Sequence, residues 1–293
     1  MRKYYKVAGH SFSIEADGCF CWDVMDNYAP FETICEAGEL LFSITVVDSL
    51  PDGTCDAFYR DNPKEDDMTC IDIFRQCGGF LLEMRPCRNS REIYRLWTTP
   101  DFREGRLLKW DTAVTGRFPL DNAAMVLYAM ASAGKNTLTM HASVTVKDST
   151  GYLFLGKSGT GKSTHSRLWM ENIPGCRLLN DDNPVVRVGE DGIVRVYGTP
   201  WSGKTPCYRN ECAVAGAFVD LSQFPENRIR RMSVIESLAA FYMSCSGLRR
   251  LDYIADGLDN TISAVLESVP CWHLDCLPDA AAARLCCETI GKR

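Results

Sequence analysis

A glycine-rich segment near the middle of the chain constrains its fold more than any other feature. The segment reads Gly156-Lys157-Ser158-Gly159-Thr160-Gly161-Lys162-Ser163, and Thr164 follows it. An apolar run at residues 152–155 precedes it and an amphipathic stretch at residues 164–170 follows, so the pattern predicts a strand, a loop and a helix. Glycines let backbone N–H groups converge on phosphate oxygens, and the following helix directs its positive end at the same anion. The segment therefore predicts a phosphate loop.

Two side chains at the end of this loop predict how a nucleotide would be held. Lys162 would place its charge at the β- and γ-phosphates, and Ser163 would present its hydroxyl to Mg²⁺. The expected ligands are ATP, or another nucleoside phosphate, and Mg²⁺. The nucleotide-binding candidates are all nine residues from Gly156 to Thr164.

Length and composition narrow the class of protein. A chain of 293 residues can form one large domain or two ordinary ones. The first six residues lack the apolar segment of a signal peptide, and no apolar run approaches the ~20 residues of a membrane span. We therefore expect a cytoplasmic protein with no membrane partner. The 15 cysteines are scattered without a repeated Cys-x-x-Cys pair, which predicts reduced thiols rather than disulfides or a zinc site.

The charge is unevenly distributed along the chain. The net charge of −6 lies wholly within residues 1–118, whereas residues 119–293 are balanced. No basic stripe with interleaved aromatic residues offsets this acidity. The distribution argues against a nucleic-acid partner, and solubility is the simplest explanation of the acidic surface.

The first 118 residues predict a β-rich, mostly antiparallel domain without a catalytic motif. Short β-like runs are separated by turn signals such as Pro51-Asp52-Gly53 and Cys77-Gly78-Gly79. The runs are residues 4–14, 40–47, 71–74, 80–85, 93–98 and 107–110.

Residues 119–293 predict a second domain in which helices and strands mix, so the expected fold class is α/β (α+β). Apolar spacing predicts a first helix at residues 119–133. Two strands at 138–146 and 152–155, joined by a hairpin turn, would deliver the phosphate loop. Further strands are expected at 176–179, 185–188, 193–197, 214–220 and 271–274, an edge strand at 228–231, and helices at 232–243, 251–269 and 279–289.

The strand after the loop helix ends in Asn180-Asp181-Asp182. A Mg²⁺ ion that bridges phosphates needs a carboxylate, and an acceptor hydroxyl needs a group that takes its proton. Neighbouring residues of a strand point to opposite sides, so the two aspartates could divide these tasks. The alternative is a simple turn, since Asp-Asp before Asn-Pro is also good turn chemistry.

A loop at residues 198–204 contains a proline and two glycines, which indicates a shaped loop rather than a regular element. Lys204 and Arg209 could reach a transferred phosphoryl group, and Trp201 could cover it. Surface charges and a buried tryptophan explain the same residues equally well.

These motifs together resemble a known group. Residues 154–164, followed by Leu179-Asn180-Asp181-Asp182, are similar to the two kinase motifs of the phosphoenolpyruvate carboxykinase and HPr kinase/phosphorylase superfamily. In HPr kinase-like domains a histidine lies on a strand shortly before the loop, and His141 occupies that place here. The resemblance covers about residues 138–220. It implies a P-loop kinase domain of the HPr kinase/PEP carboxykinase type behind the β-rich N-terminal domain.

The resemblance implies roles for individual residues. His141, Lys162 and one of Asp181 and Asp182 would be catalytic, and Ser163 with the aspartates would bind the metal. HPr kinases also carry a downstream glutamate followed closely by Arg-Gly; the nearest candidate here is Glu211, as a further metal ligand, but the arginine is missing. HPr itself is therefore not implied as the substrate, nor is a reverse phosphorylase activity.

The resemblance implies an ATP-dependent kinase that phosphorylates a serine hydroxyl of a peptide, of a protein or of free serine. Two alternatives stay open at this stage. One is a nucleotide-binding regulatory protein without transfer chemistry, and the other is a PEP carboxykinase-like enzyme on a small molecule. The acceptor and the oligomeric state, including a homo-oligomer, are open from sequence. The signatures of transport ATPases (Leu-Ser-Gly-Gly-Gln) and GTPases (Asn-Lys-x-Asp) do not occur in the chain.

Overall fold

The computed structural model describes residues 1–34, 38–61, 68–203 and 205–291. The chain divides into two compact units, Met1–Ala131 and Ser132–Arg293. The division falls after the first long helix, whereas the sequence placed that helix at the start of the second domain. Each unit is built around one large mixed sheet.

The first unit contains a nine-stranded sheet in the order β3-β1-β2-β4-β9-β8-β7-β6-β5. Its strands are β1 Arg2–Val7, β2 His10–Glu15, β3 Glu32–Thr33, β4 Phe42–Val47, β5 Asp56–Tyr59, β6 Cys70–Gln76, β7 Gly79–Arg85, β8 Tyr94–Thr98 and β9 Glu104–Leu108. A 3₁₀ helix at Trp22–Phe31 and the α-helices α1 Thr112–Thr115 and α2 Phe118–Ser132 complete it.

The predicted antiparallel character of this sheet is largely correct. Six of its eight strand pairings are antiparallel, while β4 pairs in parallel with both β2 and β9. The predicted run at residues 4–14 forms two strands because Ala8 and Gly9 adopt positive φ angles of 48° and 81° and close a hairpin between them. The strands β3 and β5 and the 3₁₀ helix were not predicted.

Aromatic packing explains why α2 belongs to the first unit. Phe12 of β2 stacks on Phe42 of β4 with ring centroids 4.7 Å apart, and Tyr128 of α2 meets both rings edge-on. The Tyr128 hydroxyl also donates a hydrogen bond to the carbonyl of Val7 at 3.0 Å. Large buried rings contribute strongly to cohesion, so this helix forms part of the first core.

The second unit also contains a nine-stranded sheet, with β10-β14-β15-β16-β12-β11-β13 as its main path and β18 and β17 added beside β16. Its strands are β10 Thr137–Thr139, β11 Ala142–Lys147, β12 Thr150–Leu155, β13 Arg177–Asp182, β14 Val185–Val188, β15 Val194–Tyr197, β16 Cys212–Gln223, β17 Arg228–Arg231 and β18 Cys271–Cys276. Its helices are α3 Lys162–Asn172, α4 Val234–Ser244, α5 Asp252–Ser268 and α6 Ala280–Ile290.

The strand directions bring several loops to one edge of this sheet. Strands β12, β16 and β18 are parallel neighbours. Strand β13 runs in the same direction, because it and β12 are both antiparallel to β11 between them. The phosphate loop after β12 and the carboxylates at the end of β13 therefore lie at the same edge, where ligands of open α/β sheets collect.

A dense apolar layer holds the loop helix on this sheet. Phe154 of β12 and Trp169 of α3 are fully buried with their rings 5.3 Å apart, and Leu274 of β18 and Ile290 of α6 belong to the same cluster. None of the described helices combines the length and apolar character needed to cross a membrane. The cysteines within the described ranges are free thiols.

One strand prediction is wrong, and the error concerns the position of His141. Residues 138–146 were expected as one strand, but the structure divides them into β10, which pairs with β14, and β11, which pairs with β12 and β13. Met140 instead bridges to Cys245 after α4, and the His141 amide donates to the Ser244 carbonyl at 2.7 Å. The break leaves His141 at the site edge of the sheet.

Candidate active site

Three glycines give the phosphate-loop segment its shape. Gly156, Gly159 and Gly161 have φ angles of 137°, 76° and 102°, a region that L side chains rarely adopt. A Cβ atom on Gly156 would lie 2.7 Å from the Thr160 hydroxyl. The loop conformation therefore depends on glycine at these positions.

Lys162 begins helix α3 and folds back over the loop. Its ammonium group donates to the carbonyls of Gly156 at 3.0 Å and Lys157 at 3.2 Å. Burial lowers the pKa of Lys162, while the carboxylates of Asp182 and Asp181 act in the opposite direction. Because Gly161 is the N-cap and has no side chain, the first N–H groups of α3 are left for an anion.

The end of β13 contributes a buried carboxylate beside the loop. Asp181 is 3% exposed, and its Oδ1 accepts a hydrogen bond from the Ser163 hydroxyl at 2.9 Å. Its other oxygen, Oδ2, is buried and has no hydrogen-bond partner in the described part of the chain. Buried polar atoms without partners are costly and uncommon, so this oxygen marks a place for a ligand.

The oxygen atoms of Ser163 and Asp181 fit Mg²⁺ as part of a coordination shell that other ligands complete. Across residues 1–34, 38–61, 68–203 and 205–291, no group of three His, Cys, Asp or Glu side chains could hold a metal ion. Mg²⁺ commonly takes only one or two protein oxygens and completes its shell with phosphates and water. Ser163 and Asp181 could supply those protein oxygens.

Asp182 and His141 form a second pair at the end of β13. The Oδ1 atom of Asp182 lies 2.9 Å from Nδ1 of His141, and both side chains are partly exposed, at 34% and 42%. Asn183 donates a further hydrogen bond to Oδ2 of Asp182 at 2.8 Å. The φ angle of Asp182 is 129°, which is strained for a residue other than glycine. Such strain is often found at functional sites.

The loop at residues 198–204 lies against the two aspartates. The Gly203 amide donates to the Asp181 carbonyl at 2.6 Å, and Ser202 pairs with Asp182 across a β-bridge. Asn180 is fully buried and donates to the Thr199 hydroxyl and the Trp201 carbonyl, each at 3.1 Å. Asn180 therefore ties this loop to β13, a role that sequence reasoning missed. The only sequence signal was an amide at a buried position of an apolar strand.

Trp201 and Glu211, which the sequence considered for the site, have other environments. Trp201 is 2% exposed, so it belongs to the core and does not form a cover. Glu211 pairs with Arg177 at 2.7 Å and approaches Arg209 at 3.7 Å. Arg177 is the first residue of β13 and Asp182 the last, so the structure does not bring Glu211 to the predicted metal site. Lys204 lies outside the described residues.

Neither a protein-family model nor a curated protein sequence matches this chain. A solved structure of the Hpr(Ser) kinase/phosphatase from Coxiella burnetii is similar to it with 15% sequence identity and a TM-score of 0.30. The similarity covers 53% of this chain and 93% of that chain. A likeness this low carries no argument about function.

Proposed function

We propose that the chain is an ATP-dependent kinase of the HPr kinase/PEP carboxykinase type, which transfers the γ-phosphoryl group to a serine hydroxyl. The observation that supports this most directly is the hydrogen bond from Ser163 to Asp181. It joins the phosphate loop to a buried carboxylate whose second oxygen lacks a partner among the described residues. This is the arrangement that a Mg²⁺–nucleotide would complete.

The loop and helix α3 bind the phosphates of ATP in this proposal. The Lys162 ammonium exchanges the carbonyls of Gly156 and Lys157 for phosphate oxygens, and backbone N–H groups of the loop make the remaining contacts. Ser163 and Asp181 hold Mg²⁺, which when bound neutralises charge on the β- and γ-phosphates.

Asp182 acts as the proton acceptor. The serine oxygen forms a bond to the γ-phosphorus, the bond from that phosphorus to the β,γ-bridging oxygen breaks, and ADP leaves. The serine proton passes to the Asp182 carboxylate, which His141 orients through its 2.9 Å contact. A serine hydroxyl is too weak an acid to attack unaided at neutral pH, so this carboxylate is required.

The acceptor binds beside the Asp182–His141 pair, where Ser202 and Gly203 of the neighbouring loop approach the end of β13. Both side chains of the pair are accessible there. The open edge would accept a serine on a peptide or a protein as well as the free amino acid.

The Asp182–His141 pair also favours this function over the two alternatives. A regulatory protein that only binds nucleotide needs no carboxylate–imidazole pair facing the γ-phosphate. A PEP carboxykinase-like enzyme needs further metal and substrate groups, and a site built on Ser163 and Asp181 provides few.

The test is phosphoryl transfer from γ-labelled ATP to free serine, to a panel of serine peptides and to the proteins encoded beside this one. We expect Mg²⁺-dependent labelling of at least one acceptor by the wild-type chain and none by Lys162→Ala. Because the Lys162 ammonium donates its hydrogen bonds to carbonyls of the loop itself, that variant should keep its thermal unfolding temperature.

Lys147→Ala is a matched control, since this partly exposed lysine pairs with Asp148 at the hairpin between β11 and β12, at the other end of β12 from the loop. ATP binding that Lys162→Ala leaves unchanged would refute the phosphate site. Nucleotide binding that depends on Lys162, without transfer to any acceptor, would instead support the regulatory alternative.

A further inference from the structure

A cavity of about 530 Å³ lies beside the phosphate loop, within the second unit. Gly159, Gly161 and Thr164 line its loop side. The segments that follow β16 and β18 line the other side, including Phe224 and Leu277. Its size and mainly apolar lining are those of a small-molecule site. We call this cavity the base pocket.

The base pocket lies on the opposite side of the loop from the carboxylates. Strand β12 carries the loop; β11 and then β13 follow on one side, and β16 and then β18 follow on the other. Asp181 and Asp182 end β13, whereas Gln223 ends β16 and Cys276 ends β18. A triphosphate whose γ end lies at the aspartates therefore directs its nucleoside toward the base pocket.

A buried histidine supplies a specific polar group to this cavity. His165 lines the base pocket and is 3% exposed. Its Nε2 accepts a hydrogen bond from the Trp169 indole at 3.0 Å, so the neutral ring carries its proton on Nδ1. Burial lowers the pKa of His165 to about 4, which keeps the ring neutral at physiological pH. No partner for the Nδ1 proton is recorded within the described ranges.

Gln223 adds a complementary group. Its Nε2 donates to the Gly159 carbonyl at 3.0 Å, which fixes the side chain against the loop and leaves its amide oxygen as an acceptor. The pocket thus offers the N–H donor of His165 and the carbonyl acceptor of Gln223, and Thr160, Thr164 and Cys276 also line it. On its outer edge, adenine presents the matching pair, an acceptor at N7 and a donor at N6. Guanine presents two acceptors there, and pyrimidines have no N7.

We propose that the base pocket binds the adenine base of ATP, with His165 donating to N7 and the Gln223 carbonyl accepting from the N6 amino group. This inference rests on the proposed function, because it concerns the same nucleotide. The apolar side chains Leu168, Phe224 and Leu277 would cover the faces of the ring.

Binding of three ligands to the wild-type chain, measured by calorimetry with Mg²⁺, tests the proposal without any mutation. The ligands are ATP, 7-deaza-ATP and inorganic tripolyphosphate. We expect 7-deaza-ATP to bind about tenfold more weakly than ATP, because its C7–H leaves the buried His165 donor without a partner. Equal affinity for ATP and 7-deaza-ATP would overturn the proposal.

A surface variant separates the base from the phosphates. Phe224→Ala should weaken ATP binding about tenfold and leave tripolyphosphate binding within about twofold, because Phe224 lines the base pocket and is not part of the phosphate loop. Ile193→Ala is the matched control, since both side chains are 41% exposed and Ile193 lies on a remote hairpin. Equal effects of Phe224→Ala on ATP and tripolyphosphate, or no effect on either, would also overturn the proposal.

Failure of the proposed function has a different signature. If Lys162→Ala changes neither ATP nor tripolyphosphate binding, the phosphate site and the base pocket both fail. If Lys162→Ala weakens both ligands while ATP and 7-deaza-ATP bind alike, the phosphate site stands and only the adenine assignment fails.

Discussion

Each of the two sheets buries an aspartate near a strand end, and the two carboxylates differ in their hydrogen-bond partners. Asp72 of β6 is 7% exposed, and hydrogen bonds satisfy both of its oxygens: Oδ2 accepts from Arg60 and Arg85 at 3.0 and 2.9 Å, and Oδ1 from the Asp61 amide at 3.0 Å. Asp181 of β13 is 3% exposed, yet one of its oxygens has no partner in the described part of the chain.

This difference distinguishes a buried charge with a structural role from one that is part of a binding site. A carboxylate whose charge the protein's own arginines neutralise, as at Asp72, is part of the fold and leaves no unpaired charge for a cationic ligand. A carboxylate held half-satisfied, as at Asp181, costs stability unless something outside the protein completes it. Burial alone does not distinguish the two cases, whereas the presence or absence of a cationic partner does.

The largest effect is expected from a substitution of Asp182, the neighbour of Asp181 in the chain. Asp182→Asn should lower kcat by about 10²–10⁴-fold and leave ATP affinity unchanged, because it removes the proton acceptor and no phosphate contact. Steady-state kinetics together with calorimetry would measure both quantities. Glu211→Gln is the control, a partly exposed carboxylate of the same unit that pairs with Arg177, and it should change kcat less than about twofold.

If Asp182→Asn and Glu211→Gln have the same kcat, the strained end of β13 is only a turn and Asp182 is not the proton acceptor.

A second effect concerns the orphaned oxygen directly. Asp181→Asn should lower Mg²⁺-dependent turnover by about 10²–10³-fold, because it removes the negative charge that would hold Mg²⁺ at the phosphates. Its free energy of unfolding without nucleotide should be no lower than that of wild type, since the Ser163 hydrogen bond can persist and a buried, incompletely paired charge is removed. Turnover against Mg²⁺ concentration and urea denaturation would report the two outcomes. A marked loss of stability with normal turnover would reverse the assignment of Asp181.

Asp72 should show the opposite behaviour. Asp72→Ala should destabilise the first unit by about 3 kcal/mol, because it leaves the half-buried Arg85 facing an empty position. Hydrogen exchange of peptides from residues 70–85 would measure this loss. Arg60→Met should cost less than about 1 kcal/mol, as the Arg60 side chain is 58% exposed. Transfer activity of the folded fraction should be normal in both variants, and a catalytic defect would contradict the architectural role.

The smallest effect is a dependence on pH. Burial acts to raise the pKa of Asp72, but hydrogen bonds from Arg85, the Asp61 amide and Arg60 outweigh it, so the pKa is lowered in the folded protein. The contribution of Asp72 to stability is therefore fully present above the unfolded value of about 3.9 and is lost as pH falls through the folded value. The stability gap between wild type and Asp72→Ala should narrow between pH 5 and pH 3, as hydrogen exchange at the two pH values can show. A gap that widens in acid would contradict this sign.

Local elements of the molecule could be predicted from sequence. The hairpin between β11 and β12 forms as expected, with Asp148 and Ser149 at positive φ. Helix α4 lies where a helix was predicted, and it begins with a capping box in which Ser233 and Glu236 exchange hydrogen bonds. Such features depend on residues a few positions apart, so their physical causes are visible in the chain itself. The shape of the glycine loop is of the same kind.

Tertiary pairing decided the rest. The sequence placed His141, Asp182 and Glu211 together, but β11 pairs with β13 and brings only the first two into contact, while Arg177 holds Glu211 at the other end of β13. The role of Trp201 was likewise open until the sheet order was known, and the break before β11 was not predicted at all. By itself, the sequence determined where the chain turns, where its helices are capped and where its backbone N–H groups can bind phosphate. The free-energy costs of these features depend on residues close together in the chain. Only the tertiary structure decided which distant carboxylates are satisfied and which are left for a ligand, because hydrogen bonds across a sheet depend on register between segments that no local pattern specifies.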